Sequence, residues 1–160
     1  MDYLYTLAFI KQNNKILMIN RVKQPWMGMW NGVGGKRHIN ESPLECIVRE
    51  IYEETNIKVT MDQVIDKGIV TWNDEFKAFA SGLHLFLVEL PSDYVYETPV
   101  VTLEGILDWK DITWVNNMDN LGVSYNIPYF IDNVLFKDHR FLYECLFEGN
   151  NLLSVKEVLI

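Results

Sequence analysis

Apolar and polar residues alternate in short runs along most of this chain, a pattern that predicts strands more often than helices. Residues 3–10 and 15–20 read as two strands joined by the polar turn Lys11-Gln12-Asn13-Asn14. Residues 21–37, rich in glycine and tryptophan, read as a loop. Further strands are expected near 57–60, 64–72, 76–90 and 105–109, with Gly82 placed for a bulge in the longest. Helical spacing is confined to about 43–55 and 128–137. Residues 140–148 and 152–159, separated by Gly149-Asn150-Asn151, predict a terminal hairpin. This mixture predicts an α+β fold, an α/β/α sandwich whose mixed sheet carries helices on its faces, in one domain over residues 1–160.

The first helix has a defined start. Ser42 and Glu45 can satisfy each other's backbone N–H groups in a capping box, and Pro43 sits at the first helical position. Leu44, Ile47, Val48, Ile51 and Thr55 share one face, which is expected to be buried. Asn56 is suited to end the helix in the left-handed conformation. The far side carries Glu50, Glu53 and Glu54 within an arc of roughly 100°. These carboxylates repel one another, and they sit in the last turns, where the helix dipole disfavours anions. An exposed acidic face is usually only solvated surface. A hard divalent cation, magnesium or manganese, is the alternative that would offset both penalties.

Charge narrows the partners. A net charge of −8 repels a polyanion and argues against binding long nucleic acids. A small phosphorylated ligand stays open if metal ions supply the positive charge. No run approaches the roughly 20 apolar residues of a membrane helix. The N-terminal segment lacks the basic flank of a signal peptide, and Cys46 and Cys145 show neither metal-ligand spacing nor a disulfide framework. A reduced, cytoplasmic setting is therefore expected. His38, His84 and His139 are too scattered to suggest a nucleophile and its base.

What decides between surface and site is the sequence leading into the helix. It runs Gly35, five residues, Glu41, seven residues, then Arg49-Glu50-Ile51-Tyr52-Glu53-Glu54-Thr55-Asn56-Ile57. This resembles the Nudix box of MutT-type pyrophosphohydrolases, with Asn56 where the family has glycine; asparagine also adopts positive φ. Leu4-Tyr5-Thr6-Leu7, the run from Trp30 to Lys36, and Thr98-Pro99-Val100 with Glu104 and Trp109 resemble the subgroup that hydrolyses oxidised purine nucleoside triphosphates.

The resemblance implies a Nudix fold and a hydrolase of phosphoric anhydrides, turning a nucleoside triphosphate and water into the monophosphate and pyrophosphate, with 8-oxo-dGTP as a candidate substrate. It implies a metal site of Glu50, Glu53, Glu54, the Gly35 carbonyl and Glu104. Glu50 or Glu53 would activate water, and Arg49 would hold a neighbouring carboxylate, while Glu41 is structural. Asn31 and Thr6 match substrate-facing positions, and Gly32, Gly34 and Gly35 would let the backbone approach the substrate. Lys36 and Arg21 are candidate phosphate contacts. Trp26, Trp72, Phe79 and Trp114 are candidates for a stacking wall. The subgroup's pair of aspartates is reduced to Asp119 alone, with Gly122-Val123 in the aligned places. Rival readings are hydrolysis of a nucleotide sugar or dinucleoside polyphosphate, and a module that senses nucleotides without cutting them. The intact glutamate set speaks against the sensor.

Overall fold

The computed structural model describes residues 3–74 and 81–160. Strands β1 (Tyr5–Gln12), β2 (Lys15–Arg21), β3 (Trp30–Asn31) and β4 (Val33–Lys36) precede helix α1 (Pro43–Thr55). Strands β5 (Val64–Trp72), β6 (Ser81–Glu89), β7 (Val100–Val101) and β8 (Gly105–Asp111) follow, then helices α2 (Ile112–Val115) and α3 (Ile127–Phe136), and strands β9 (Phe141–Glu148) and β10 (Asn151–Leu159). The main path of the sheet is β10-β9-β5-β6-β1-β2-β8-β7, with β3 on β2 and β4 on β1. Pairings β1–β6 and β5–β9 are parallel and the others antiparallel, so the sheet is mixed as expected.

Period-two alternation sorts the central strands into two cores. Phe9, Ile16, Met18, Leu85 and Leu87 pack with Phe130, Ile131 and Val134 of α3 on one face. Ala8, Ile10, Leu17, Ile19, Phe86 and Val88 pack with Ile47 and Ile51 of α1 on the other. Helices on both faces explain why β1 reads as a continuous apolar run: Ala8, Phe9 and Ile10 are all fully buried. Among the described residues no helix is long and apolar enough to cross a membrane.

Several expectations need correction. Residues 57–60 are not a strand; Ile57 and Val59 bury against the α1 side as unpaired extended chain, and a 3-10 turn (Met61–Gln63) follows. The segment 21–37 is not all loop, because β3 and β4 pair with β2 and β1. Their close approach needs glycine: a Cβ on Gly32 would meet the Ala8 carbonyl oxygen at 2.6 Å, and one on Gly34 would strike that of Thr6. The bulge lies in β5 between Asp66 and Gly68, not at Gly82, because Gly68 adopts φ 113° and its N–H bonds the Asp66 carboxylate. The first strand runs on to Gln12, and α2 follows β8 without a break. Of the long strand expected over 76–90, residues 76–80 lie outside the described residues.

Candidate active site

Helix α1 presents the acidic face by the devices its sequence contains. Glu45 N–H donates to Ser42 Oγ at 3.1 Å and Ser42 N–H to Glu45 Oε2 at 2.8 Å, while Asn56 ends the helix at φ 67°. Burial of Ile47, Ile51 and Thr55 fixes the helix against the sheet and turns Glu50, Glu53 and Glu54 away from the core.

Arg49 organises these carboxylates. Its Nε and Nη2 grip Glu41 at 2.6 and 2.9 Å, and its Nη1 donates to Glu50 at 2.9 Å and Glu53 at 3.0 Å. Nη2 also reaches the Lys36 carbonyl at 3.1 Å and Cys46 Sγ at 3.6 Å. The bidentate bond from Arg49 holds the Glu41 carboxyl down at about 2, with help from the His38 N–H. Glu41 is thus a structural anchor between the 37–41 loop and the helix. Arg49 is a positioning residue, its guanidinium committed to protein partners.

Strand β4 meets this array edge on. A Cβ on Gly35 would fall 2.5 Å from the Glu50 carboxyl carbon, so any larger residue there would displace that carboxylate from its present place. The Glu50 side chain is 13% exposed and that of Glu53 55%. Burial pushes the Glu50 carboxyl up despite its bond to Arg49, with Glu53 and Glu41 adding to the effect. Burial pushes Glu54 up further, to about 8, reinforced by the charges of Glu50 and Glu104 and relieved by the Gly34 N–H and by Arg21. Glu104, in the turn before β8 and next to Gly105, the ladder partner of Arg21, is therefore within electrostatic reach of Glu54.

The Gly35 carbonyl is not aimed into this acidic cleft. It accepts from Thr6 Oγ1 at 3.3 Å, on the β1 side. In the antiparallel β1–β4 ladder Thr6 faces Gly35 and Leu7 faces Gly34, and backbone groups of successive residues point to opposite sides. Gly34 is the residue whose peptide groups face α1, as its N–H toward Glu54 attests. Thr6, expected at the substrate, is 3% exposed and sits behind the strand.

The remaining candidates divide by place. Arg21 lies beside Glu54 and is steadied by a 2.7 Å bond to the Pro25 carbonyl. Lys36 is exposed at the end of β4. Asn31 Oδ1 accepts from the Gly32 N–H at 2.8 Å, which leaves its amide NH₂ as the group to offer a ligand. Asp119 is exposed, its own N–H tied to Asn117, in a segment that docks on Trp30 through Gly122 and Ser124. Trp26 packs edge-on to Tyr125, Trp72 lies 6.5 Å from Tyr5, and Trp30 and Trp114 share Lys110. Phe79 lies outside the described residues.

Among the described residues no three His, Cys, Asp or Glu side chains stand in a ready ligand cluster, since Arg49 holds Glu50 and Glu53. The donor set nevertheless fits a hard cation. It is all oxygen, and the Glu54 and Glu50 carboxyls are raised first by burial and then by neighbouring carboxylates, an imbalance that a bound cation would relieve.

That imbalance gives a stability test. A carboxyl raised in the folded state costs stability as pH climbs from its ordinary 4.5 through about 8. In chelator, the melting temperature is therefore expected to fall between about pH 5 and 8, less so in Glu54→Gln, and a divalent cation should restore it at the upper end. Identical pH profiles for parent and variant would contradict the shared negative field.

Comparison with known proteins converges on one family. The NUDIX domain profile matches residues 4–134. The oxidized purine nucleoside triphosphate hydrolase of Mus musculus is 26% identical over 137 residues, covering 85% of this chain and 84% of that protein. The 8-oxo-dGTP diphosphatase of Proteus vulgaris is 36% identical over 56 residues, covering 35% of this chain and half of its own length. Among solved structures, the mutator MutT protein of Bacillus halodurans superposes with a TM-score of 0.73 at 26% identity, over 96% of this chain and 95% of that one.

Proposed function

This chain belongs to the NUDIX domain family and is a Nudix hydrolase, and on that premise we propose that it is a magnesium-dependent pyrophosphohydrolase of purine nucleoside triphosphates, releasing the monophosphate and pyrophosphate. Nudix hydrolases generally use divalent metal ions. One observation supports the reading above others: α1 and the glycine strand β4 meet at an acidic seam, with the Glu50 carboxylate against Gly35 and Glu54 facing Glu104.

Magnesium bound there would neutralise the diphosphate oxygens, polarise phosphorus and acidify water. Glu50, Glu54, Glu104 and the Gly34 carbonyl are the groups that would hold it. Glu53 is the exposed member of the set and the one best placed to take a proton from an attacking water, with Arg49 steadying its carboxylate. Arg21 and Lys36 bring positive charge to phosphate at the two flanks of the seam. Asn31 offers its NH₂ to an acceptor on the base.

Where the aligned subgroup carries two aspartates this chain has Gly122 and the fully buried Val123, so discrimination of an oxidised from an ordinary purine rests on Asn31 without their help. Asn31→Ala is expected to lower kcat/KM for purine triphosphates by about tenfold and to leave pyrimidine triphosphates and metal binding nearly unchanged. Steady-state kinetics on dGTP, 8-oxo-dGTP, dATP and dCTP, with a nucleotide sugar for comparison, test this. Equal kcat/KM across all five, unchanged in the variant, would mean that no base is read.

A further inference from the structure

We infer that Trp26 is a positioning residue for Arg21: its ring, docked on the α3 side of the sheet, holds the arginine's guanidinium at the phosphate end of the acidic seam. The inference rests on the reading of Arg21 as a phosphate contact.

The loop 22–28 folds back on Arg21 itself. Arg21 N–H donates to the Met29 carbonyl at 3.0 Å, and the Arg21 carbonyl accepts from Gly28 N–H at 2.7 Å. Met29 N–H donates to the Trp26 carbonyl at 3.0 Å, and Asn20 Nδ2 to the Gly28 carbonyl at 3.1 Å. These bonds fix the backbone of Arg21 but not its side chain. Among the described residues the guanidinium makes one hydrogen bond, from Nε to the Pro25 carbonyl at 2.7 Å. That bond leaves both Nη groups for a ligand, at a place where the arginine's charge is felt by Glu54.

The direction of the Pro25 carbonyl therefore sets the guanidinium, and Trp26 sets that direction. A peptide unit is planar, so the Pro25 carbonyl shares one plane with the nitrogen and Cα of Trp26. Trp26 holds φ 64°, a left-handed conformation that a bulky L-residue rarely adopts. Packing of its ring offsets that cost. The indole lies edge-on to Tyr125 at 5.1 Å and tilted to Phe147 at 6.0 Å. Phe147 is itself fastened by Asn73, whose Nδ2 donates to its carbonyl at 2.8 Å and whose Oδ1 accepts its N–H at 2.7 Å. Rotating φ out of the left-handed region turns the Pro25 peptide relative to the ring. The ring then cannot keep Tyr125 while the carbonyl keeps Arg21.

The test is calorimetric binding of inorganic tripolyphosphate, which has no base, with magnesium present. Parent, Arg21→Met, Trp26→Asn, Trp26→Phe and the Arg21→Met/Trp26→Asn double variant are compared. Asparagine tolerates the left-handed conformation and removes the ring. Arg21→Met and Trp26→Asn are each expected to weaken binding by about tenfold, with little further loss in the double variant, while Trp26→Phe restores most of it. KM should rise equally for dGTP and dCTP in Trp26→Asn, because the loss is carried by phosphate. Tyr125→Leu leaves the loop sequence intact and should weaken binding in the same direction by a smaller factor, which guards against a folding failure in the asparagine variant. Melting temperatures check that each variant is folded. Parental binding by Trp26→Asn, additive losses in the double variant, or a loss confined to dGTP would overturn the positioning role. Tripolyphosphate bound equally by parent and Arg21→Met would overturn the phosphate reading of Arg21, and this inference with it.

Discussion

Glu50→Gln and Glu53→Gln are each expected to reduce turnover by about 100-fold or more while the fold stays intact. On the proposed reading the two substitutions act on different steps. Glu50 is nearly enclosed, one oxygen bonded to Arg49 and its carboxyl against Gly35, so its amide would remove a charged ligand from the seam. Weaker metal binding should accompany its loss of rate. Glu53 is mostly exposed and, among the described residues, its bond into the array is the one from Arg49. Its amide should leave metal affinity close to that of the parent and lower kcat alone. Pre-steady-state kinetics alongside Mn²⁺ titration would measure both. Near-parental rates in both variants would reduce the acidic face to solvated surface.

Arg49→Ala carries the next largest effect, because it acts on activity and stability together. It would leave Glu41 without its bidentate partner, free Glu50 and Glu53 to repel, and strip the Lys36 carbonyl of its donor. Removing charged hydrogen bonds from partly enclosed groups costs about 2–3 kcal/mol, and turnover should fall by about 100-fold through misplaced carboxylates. Arg49→Lys keeps the charge but cannot reproduce the planar fork, so it should recover stability better than rate. Chemical denaturation and kinetics on the same preparations check this. A Lys variant as active as the parent would show that charge alone, not geometry, is what Arg49 supplies.

The elements most legible in the sequence were those fixed by local rules. The capping box at Ser42-Glu45, the left-handed Asn56 and the terminal hairpin each follow from side chains acting within a few residues of themselves. The fold class was legible too, because strands and helices alternate with distinct periods. Long-range pairing was not. β3 and β4 carry no alternating pattern of their own and exist because β1 and β2 offer them open edges. Ile57 and Val59 have a strand-like spacing but no strand to pair with.

The site shows the same division. The Arg-Glu run placed the carboxylates on one helix face, since helical geometry requires it. Which glycine carbonyl faces them depends on the register between β1 and β4, and one residue of register exchanges Gly35 for Gly34. The match in its strand predicts a substrate-facing Thr6, whereas alternation in β1 turns it toward α1 and Cys46. Cys46, read as packing, also joins Thr6 to Arg49. Its position one turn before Glu50 on the helix was the available signal, but only with the partner strand in place does it acquire meaning.

Cleavage of a nucleoside triphosphate between its α and β phosphates, by a divalent cation held in the seam between α1 and β4, is the proposed reaction. It is tested most directly by following the products from dGTP by phosphorus NMR in magnesium, in excess chelator, and after magnesium is returned. Expected are dGMP and pyrophosphate in equal amounts with magnesium, no turnover in chelator, and recovery on readdition. Undiminished turnover in chelator, or release of orthophosphate and dGDP in place of pyrophosphate, would contradict it.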